Sequence, residues 1–285
     1  MARVPPIRIA MYGIAHKKRS PGVSILDPRA FRIFCVSGMK RIALLFASLP
    51  FLTALRFSVV YAMKRLLDPR ASINYSQTGE DAIIRSILDE RTHGIYVDVG
   101  CNDPIRYSNT LSLYLHGWRG VNIDANPHMI ERFQAVRLRD VAVCAAISDQ
   151  ECDLVFHEFE DNLVSTLSTD VLAEWQGKWK KCGERVVKTR TLDSVLHEHL
   201  APGTEIDLLS VDVEGHDLNV LRSIDLDFFR PKLIVVEMHH MDFNHTREAG
   251  VTAHLEGQGF RQIGYDTLNG YFADTRRQRA GLRLP

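Results

Sequence analysis

Apolar residues are grouped along the chain in short runs that are separated by segments of helical spacing. The runs predict five core strands, at 95–100, 120–124, 141–148, 206–213 and 233–237. Continuous β-branched runs of this length are typical of parallel strands that are covered on both faces. Because helical spacing follows Thr110, Leu192 and Asp217, the pattern predicts an α/β domain with a mostly parallel sheet.

Two further segments depart from this alternation. The runs 260–264 and 270–273 flank Asn269-Gly270, a pair that is typical of hairpin loops, so a C-terminal antiparallel hairpin is predicted. The polar stretch 160–184 interrupts the core strands and predicts an insertion or lid over the site.

The first chemical signal lies between Gly94 and Pro127. The first strand ends at Gly100, where a glycine lets the backbone turn sharply and approach a ligand. The second strand ends at Asp124, 24 positions later, which suits a carboxylate that binds both hydroxyls of a ribose. Strand, glycine turn, helix, strand and acid together predict a nucleoside-binding βαβ unit. An ordinary α/β strand with a buried turn is the plainer interpretation.

The glycine count favours one kind of nucleoside. Residues 101–104 after Gly100 include no second glycine, whereas a dinucleotide fold shows G-x-G-x-x-G so that a pyrophosphate can sit on a helix N-terminus. Asp103 would repel a pyrophosphate, and Asp98 and Asp103 would face a positive charge favourably. The pattern therefore favours S-adenosylmethionine (SAM), with its ribose, adenine and cationic sulfonium, over NAD.

Other polar residues complete the predicted cofactor site. Asn102 lies in the loop after the first strand, and Asp212 ends the fourth strand at the same edge of the sheet. Ser108 and Asn109 precede a helix whose unbonded N–H groups would hold the carboxylate of the methionine moiety. Capping of that helix explains either residue as well.

Candidates for a catalytic base follow the fourth and fifth strands, at the edge where open α/β sheets bind ligands. Glu214 and His216 come directly after the fourth strand. Beyond the fifth strand, His239 shares the face of Glu237 and is preferred to His240, because neighbouring strand residues point to opposite faces. The predicted catalytic residues are therefore His239, His216 and Glu214.

The same region admits a metal site as an alternative. Asp212, Glu214 and His239 carry carboxylate and imidazole groups, which are common metal ligands. In the favoured interpretation these residues bind cofactor or act as bases, and none is assigned as a metal ligand.

Charged residues are distributed unevenly along the chain. The 285 residues include 35 basic and 35 acidic ones, but residues 1–70 hold 13 Lys or Arg against 2 Asp or Glu, about +11, which leaves about −11 on 71–285. A basic head on an acidic body is unlike a nucleic-acid-binding protein, whose basic patch lies on the folded domain. Five cysteines, odd in number and without C-x-x-C, indicate a reducing compartment such as the cytoplasm and no structural zinc.

The basic head, 1–70, is predicted to be a disordered or membrane-associated segment before a domain over 71–285. Its apolar run at 42–55 is interrupted by Pro50 and falls short of the roughly 20 residues that span a bilayer. Two interpretations remain open. The segment 39–65 forms either an interfacial helix attracted to anionic lipid at the cytoplasmic face of a membrane, or a helix packed on the domain.

Six motifs carry a family resemblance: YSQTGED (75–81), YVDVGCN (96–102), GWRGVNIDANP (117–127), RTLDSVL (190–196), IDLLSVDVEGHDLNVL (206–221) and RPKLIVVE (230–237). In this order and spacing, the chain resembles the FkbM family of SAM-dependent methyltransferases, which have a Rossmann-like methyltransferase fold. The chain departs from the family at Ser210, where members often have lysine, and at Asp103, where they often have a second glycine.

The resemblance implies methylation of a hydroxyl, because family members act mostly on sugars, polysaccharides or polyketides. A small-molecule or glycan acceptor is therefore expected. Two alternatives are an NAD-linked Rossmann oxidoreductase and a non-catalytic, membrane-attached nucleoside-binding protein. The single glycine at Gly100 argues against the first, and the intact acids Asp98, Asp124, Asp212 and Glu214 argue against the second.

Overall fold

The computed structural model describes residues 42–68, 72–88, 93–175, 177–238 and 246–278. Within these ranges the strands are β1 (Ile95–Val99), β2 (Arg119–Asp124), β3 (Val141–Cys144), β4 (Ala146–Ile147), β5 (Asp153–Phe159), β6 (Lys181–Arg190), β7 (Leu208–Val211), β8 (Leu233–Glu237), β9 (Phe260–Tyr265) and β10 (Asn269–Asp274). The helices are α1 (Phe51–Leu67), α2 (Glu80–Ile87), α3 (Leu111–Leu115), α4 (Pro127–Val136), α5 (Thr169–Trp175), α6 (Leu192–His199), α7 (Asp217–Arg222), α8 (Thr246–Gly257) and α9 (Thr275–Gln278), and 42–48 is also helical.

A seven-stranded sheet forms the centre of the molecule, in the order β3-β2-β1-β7-β8-β10-β9. The first five strands in this order, β3, β2, β1, β7 and β8, are parallel to one another, whereas β10 runs antiparallel to both β8 and β9. Asp98 on β1 stands between Asn122 on β2 and Ser210 on β7. The predicted α/β architecture, mostly parallel with an antiparallel C-terminal pair, is confirmed.

The C-terminal hairpin differs from its predicted form in the position of its loop. Asn269 and Gly270 lie inside β10, and Asn269 pairs with Glu237 of β8. The turn is made instead by Asp266, whose side chain accepts the N–H groups of Leu268 and Asn269 at 2.8 and 2.7 Å. A side chain at position 270 would meet the Met238 sulfur at 2.4 Å, so close packing explains this glycine.

The predicted strand 141–148 is also divided. Its first part, β3, is the edge of the seven-stranded sheet, and its second part, β4, belongs to a separate three-stranded sheet in the order β4-β6-β5. Between them the Ala145 N–H donates to the Asp124 carbonyl at 3.0 Å, which turns the chain from one sheet to the other. The polar segment between β5 and β6 carries α5 and a 3-10 turn at Asn162–Val164.

Two apolar clusters cover the two faces of the large sheet. Val97 and Val99 of β1 belong to one cluster, whereas Tyr96 belongs to the other, because alternate strand residues point to opposite faces. Each fully buried aliphatic side chain contributes about 1.5–3 kcal/mol to the free energy of unfolding.

The helical part of the predicted head packs on this domain. Leu45, Leu49 and Ala54 are buried in the same cluster as Trp118. The Tyr114 hydroxyl donates to the Ser48 carbonyl. The interpretation as a packed helix therefore holds for the inner side of this segment, and residues 1–41 lie outside the described residues. Among the described helices, none is both long and apolar enough to cross a membrane.

Candidate active site

A cleft opens at the carboxyl ends of β1, β2 and β7, and the empty space between its walls is about 990 Å³ when its solvent-open part is included. Eight of the ten residues predicted for the site line the cleft, namely Asp98, Gly100, Asn102, Ser108, Asn109, Asp124, Asp212 and Glu214. The spacing of the motifs therefore did bring these residues together.

Gly100 determines how closely the strand ends approach each other. Its φ is +80°, and a Cβ at this position would lie 1.7 Å from the Asp212 carbonyl oxygen. The N–H groups of Gly100 and Cys101 both donate to the Ile123 carbonyl, at 2.9 and 3.2 Å. Only glycine allows this turn, so the ends of β1, β2 and β7 meet at a single point.

Asp124 organises the loops on both sides of it. Its two carboxylate oxygens accept the N–H groups of Asn102 at 2.9 Å and of Asn126 at 2.7 Å. Burial raises the pKa of Asp124, and these two backbone bonds act in the opposite direction. A carboxylate has about four acceptor positions, so Asp124 can still accept hydrogen bonds from ribose hydroxyls.

Asp98 lies at the floor of the cleft and is 5% exposed. Its carboxylate accepts the Thr110 hydroxyl at 2.7 Å and is also hydrogen-bonded by Ser210. Burial raises the pKa of Asp98, while the Thr110 hydrogen bond and the positive charge of Arg137 oppose the rise. Ser210, which stands where family members often have lysine, therefore contacts a predicted cofactor residue directly.

Arg137 holds the loop before α3 in place, a contact that the sequence did not predict. It is 1% exposed and directs its guanidinium at the loop before α3. It donates to the Thr110 hydroxyl at 2.8 Å, the Ser108 hydroxyl at 2.6 Å and the Pro104 carbonyl at 2.8 and 3.0 Å. Asp140 lies 3.9 Å away as its ionic partner. A lone arginine after a helix gives no signal, because these segments meet only in the folded chain.

Ser108 lies just before the start of α3. Its hydroxyl oxygen accepts the N–H groups of Thr110 and Leu111, at 3.3 and 3.2 Å, while its own N–H donates to the Tyr75 carbonyl at 3.2 Å. The N-cap of α3 is Thr110, so the expectation that Ser108 or Asn109 is the N-cap is wrong, although Ser108 does bond two N–H groups at this end of the helix. The binding of a ligand carboxylate by Ser108 and Asn109 stays a prediction.

Asp103 does not line this cleft. One of its carboxylate oxygens accepts the N–H groups of Ile105 and Arg106, and the other forms an ion pair with Arg132 at 2.6 Å. Its charge stabilises the loop and borders an adjoining cavity. Of the residues in the YSQTGED motif, Gln77 lines the cleft.

The predicted bases are placed differently from one another. Glu214 lines the cleft with φ +53°, and its carboxylate, with those of Asp212 and Glu237, forms a group of oxygens within 4.8 Å of one another. His216 is not among the lining residues, and its Nε2 lies 2.9 Å from the Ser148 hydroxyl. Burial lowers the pKa of His216. His239, like His240, lies outside the described residues.

The three-stranded sheet and its connections cover one side of the cleft. Phe156, Leu163 and Leu167 line it, and the Thr166 hydroxyl donates to the Glu214 carbonyl at 2.7 Å. Arg185 lies over the Phe156 ring at 4.9 Å and donates to a carbonyl of the loop after β2. Leu163, Ser165 and Leu167 of the segment 160–184 therefore border the site, and the role of this segment as a lid stays a prediction.

The charged side chains that line the cleft in the described part of the chain are all acidic. Among the described residues that line it are four carboxylates, from Asp98, Asp124, Asp212 and Glu214, and no lysine or arginine. Such a wall attracts a cationic ligand and repels a pyrophosphate. Apolar side chains such as Met129 and Phe156 form the other part of the wall.

Comparison with known proteins decides the family. A family model for the methyltransferase FkbM domain matches residues 98–261, which is more than half of the chain. The chain belongs to the FkbM methyltransferase family. It is therefore a methyltransferase, and SAM, the cofactor predicted from the sequence, is its methyl donor.

Solved structures similar to this FkbM methyltransferase share little sequence with it. An O-methyltransferase from Bacillus cereus in complex with SAH has 11% identity and a TM-score of 0.40, over 76% of this chain and 97% of that chain. The O-methyltransferase TomG from Streptomyces achromogenes has 15% identity and a TM-score of 0.39, over 75% and 86% of the two chains. A TehB-like SAM-dependent methyltransferase from Corynebacterium glutamicum has 12% identity and a TM-score of 0.34, over 78% and 99%. No curated protein matches the chain.

The cleft of this FkbM methyltransferase fits SAM by the chemistry of its side chains. Asp124 offers acceptor positions for a ribose, and the four carboxylates suit a ligand that carries a sulfonium and an ammonium group. The apolar wall around Met129 and Phe156 suits the flat face of an adenine. The same charges disfavour the two phosphates of NAD.

Proposed function

We propose that this FkbM methyltransferase methylates a hydroxyl group of a sugar, a polysaccharide or a similar secondary metabolite. The observation that supports the proposal is the Glu214 carboxylate, which lines the cleft beside Asp212 and Glu237. A neutral hydroxyl is a poor nucleophile, and a carboxylate that accepts its proton adds about 10²–10⁴-fold to the rate.

The residues of the cleft divide the work between binding and chemistry. Asp124 holds the ribose, and Asp98 faces the positive end of the cofactor. Gly100 keeps the strand ends close enough for both acids to act on one ligand. When bound, SAM supplies an activated methyl group, so that orientation of the acceptor contributes most of the remaining acceleration.

Glu214 is the base that we favour among the three predicted candidates. It lines the cleft, whereas the His216 ring is engaged with Ser148 outside the lining. His239 remains the rival base.

The test is methyl transfer to defined hydroxyl acceptors. Full-length protein is incubated with SAM and a panel of mono- and oligosaccharides, and O-methyl products are identified by mass spectrometry. Glu214→Gln is expected to lower the rate by about 10²–10⁴-fold with SAM affinity nearly unchanged, because only proton transfer is lost. His216→Gln is the matched control and is expected to retain most of the rate.

Several results would contradict the proposal. Products methylated only on nitrogen or carbon would exclude a hydroxyl acceptor. A Glu214→Gln variant with normal turnover would exclude Glu214 as the base. A loss confined to His216→Gln or His239→Gln would transfer the role to that histidine.

A further inference from the structure

Helix α1 lies on the domain with apolar side chains turned outward. Nine of the 17 large apolar side chains that are exposed in the described part of the chain fall between Phe46 and Leu67. Leu52, Leu66 and Leu67 are 77%, 85% and 81% exposed. A surface helix normally turns its polar side to water. The arrangement of α1 is therefore the reverse of the usual one.

The exposed residues form a continuous stripe. Five of them follow one another at intervals of three or four residues, namely Leu52, Leu55, Val59, Met63 and Leu66. This spacing places them on one side of the helix, which we call the outer face of α1. On the opposite side, Ala54 and Ser58 are buried, and the ring of Phe57 packs against that of Tyr75 with the ring centroids 5.6 Å apart. Among the contacts of the described residues, those that hold the helix to the domain lie along its inner side.

Charge on this segment has a single sign. Residues 42–67 contain Arg56, Lys64 and Arg65 and include no aspartate or glutamate. Arg56 is exposed beside the apolar stripe. Apolar area flanked by basic residues is the combination by which interfacial helices bind anionic bilayers.

We propose that the outer face of α1 attaches this methyltransferase to the surface of an anionic lipid membrane. The apolar stripe enters the boundary between headgroups and acyl chains, while Arg56 contacts lipid phosphates. Because Ala54 and Ser58 contact protein, α1 lies along the membrane and does not cross it. A second copy of the chain is a poorer occupant, since it would set two uniformly basic segments against each other.

The attachment has a short structural connection to the active site. Phe57 of α1 contacts Tyr75, and the Tyr75 carbonyl accepts the N–H of Ser108, which lines the cleft. Two residues further, Gln77 lines the cleft as well. Tyr75 therefore links α1 to a residue that lines the site.

The test is co-sedimentation of the full chain with vesicles of phosphatidylcholine alone or with about one third phosphatidylglycerol, at low and raised salt. Binding is expected to phosphatidylglycerol vesicles and to fall as salt rises. The double variant Leu52→Glu, Met63→Glu is expected to lower partitioning at least about tenfold, because it places two charges in the stripe that the membrane would bury. The matched control Leu138→Glu, Val186→Glu adds the same charge at sites that are 59% and 69% exposed elsewhere, and it is expected to bind better than the α1 variant.

Melting temperature and SAM affinity separate loss of binding from loss of folding, and both are expected to stay unchanged in the α1 variant. Equal binding to both vesicle types, or equal loss in the two double variants, would overturn the proposal. Failure of the wild-type chain to sediment with either vesicle would overturn it too. A concentration-dependent dimer that the α1 variant abolishes would assign the outer face to a second copy instead.

Discussion

Asp98 combines two properties that are seldom found together, near-complete burial and contact with the active-site cleft. Burial raises its pKa, while the Thr110 hydroxyl and the positive charge of Arg137 favour the ionised form. A carboxylate held in this way interacts strongly with a cationic ligand, because little water remains to screen the charges. The difference between SAM and S-adenosylhomocysteine, which lacks the sulfonium charge, makes this property measurable.

We expect Asp98→Asn to weaken SAM binding by about 1–3 kcal/mol, the range for a hydrogen bond or contact with a charged group. If Asp98 faces the sulfonium, affinity for S-adenosylhomocysteine falls less. Titration calorimetry with both ligands provides the comparison. Equal losses for the two ligands would show that Asp98 interacts with a part of the cofactor that they share.

Acidification offers a second view of the same group. Because the pKa of Asp98 is raised, its protonation begins at a higher pH than for an ordinary carboxyl group. The affinity of the wild-type protein for SAM is therefore expected to decline as the pH falls toward that pKa. The folded state takes up this proton more readily than the unfolded state, so the contribution of Asp98 to the free energy of unfolding increases as the pH falls. Loss of affinity should therefore precede acid unfolding. A pH-independent affinity in wild type would contradict this.

Asp124 is expected to carry the ribose contact. Asp124→Ala should weaken SAM binding by about 1–3 kcal/mol, because a charged acceptor for two hydroxyls is removed. The N–H groups of Asn102 and Asn126 also lose their acceptor, so a lowered melting temperature is expected alongside. Calorimetry that finds unchanged affinity would exclude Asp124 from the ribose role.

At the scale of elements, the site depends on how closely strands and loops approach one another. The turn at Gly100 brings β1 against the carbonyl of Asp212, and Arg137 ties the loop before α3 to the end of α4. Both contacts involve residues that line the cleft, and both determine where its acids lie.

Gly100→Ala is expected to destabilise the protein more than a positive φ alone explains. The control is Gly203→Ala, where φ is +79° but no atom lies within 4 Å of a new Cβ. A left-handed alanine costs about 1–2 kcal/mol, and overpacking at position 100 should add about 1–3 kcal/mol. Urea unfolding of both variants gives the difference. Equal destabilisation would show that the strand ends can move apart.

Arg137→Lys is expected to loosen the loop before α3. Lysine keeps the charge but cannot reach Ser108, Thr110 and the Pro104 carbonyl together, since it lacks the guanidinium fork. The control is Arg139→Lys, because Arg139 lies over the Tyr114 ring and does not contact this loop. A buried acceptor left without its hydrogen bond costs about 1–3 kcal/mol of the free energy of unfolding. SAM affinity should fall in the first variant only, and equal affinities would remove Arg137 from a positioning role.

At the scale of the whole molecule, the N-terminal helical segment belongs to the domain on one side and faces outward on the other. Leu49 is 3% exposed in the core cluster that also contains Trp118, while Leu52, three residues later, is 77% exposed. Residues 42–68, the described part of the basic head, therefore share a core with the acidic body, and 71–285 alone would expose part of that core.

A pair of substitutions measures this sharing. Leu49→Ala is expected to cost about 2–5 kcal/mol of the free energy of unfolding, because it opens a cavity in the core. Leu52→Ala should change it by no more than about 0.5 kcal/mol, as for other surface positions. Chemical unfolding of the full chain checks both. Similar values for the two variants would mean that the segment does not contribute to the core.

Local pattern determined most of the architecture of this protein. Three features depend only on a few neighbouring residues: the five apolar runs, the glycine at position 100 and the acid at position 124. Parallel strands then bring their carboxyl ends to one edge of the sheet. Asp98, Gly100, Asp124, Asp212 and Glu214 could for this reason be placed in one site before any coordinates were known.

Only the tertiary structure decided which distant residues meet. Arg137 reaches three segments, Glu237 joins Asp212 and Glu214, and His216 turns to Ser148 because packing sets the register and direction of each element. The outer face of α1 is of the same kind. Its stripe is visible in the sequence, but burial of the opposite side against the domain determines that the stripe faces outward. Such contacts join residues far apart in the chain, and local periodicity carries no information about them.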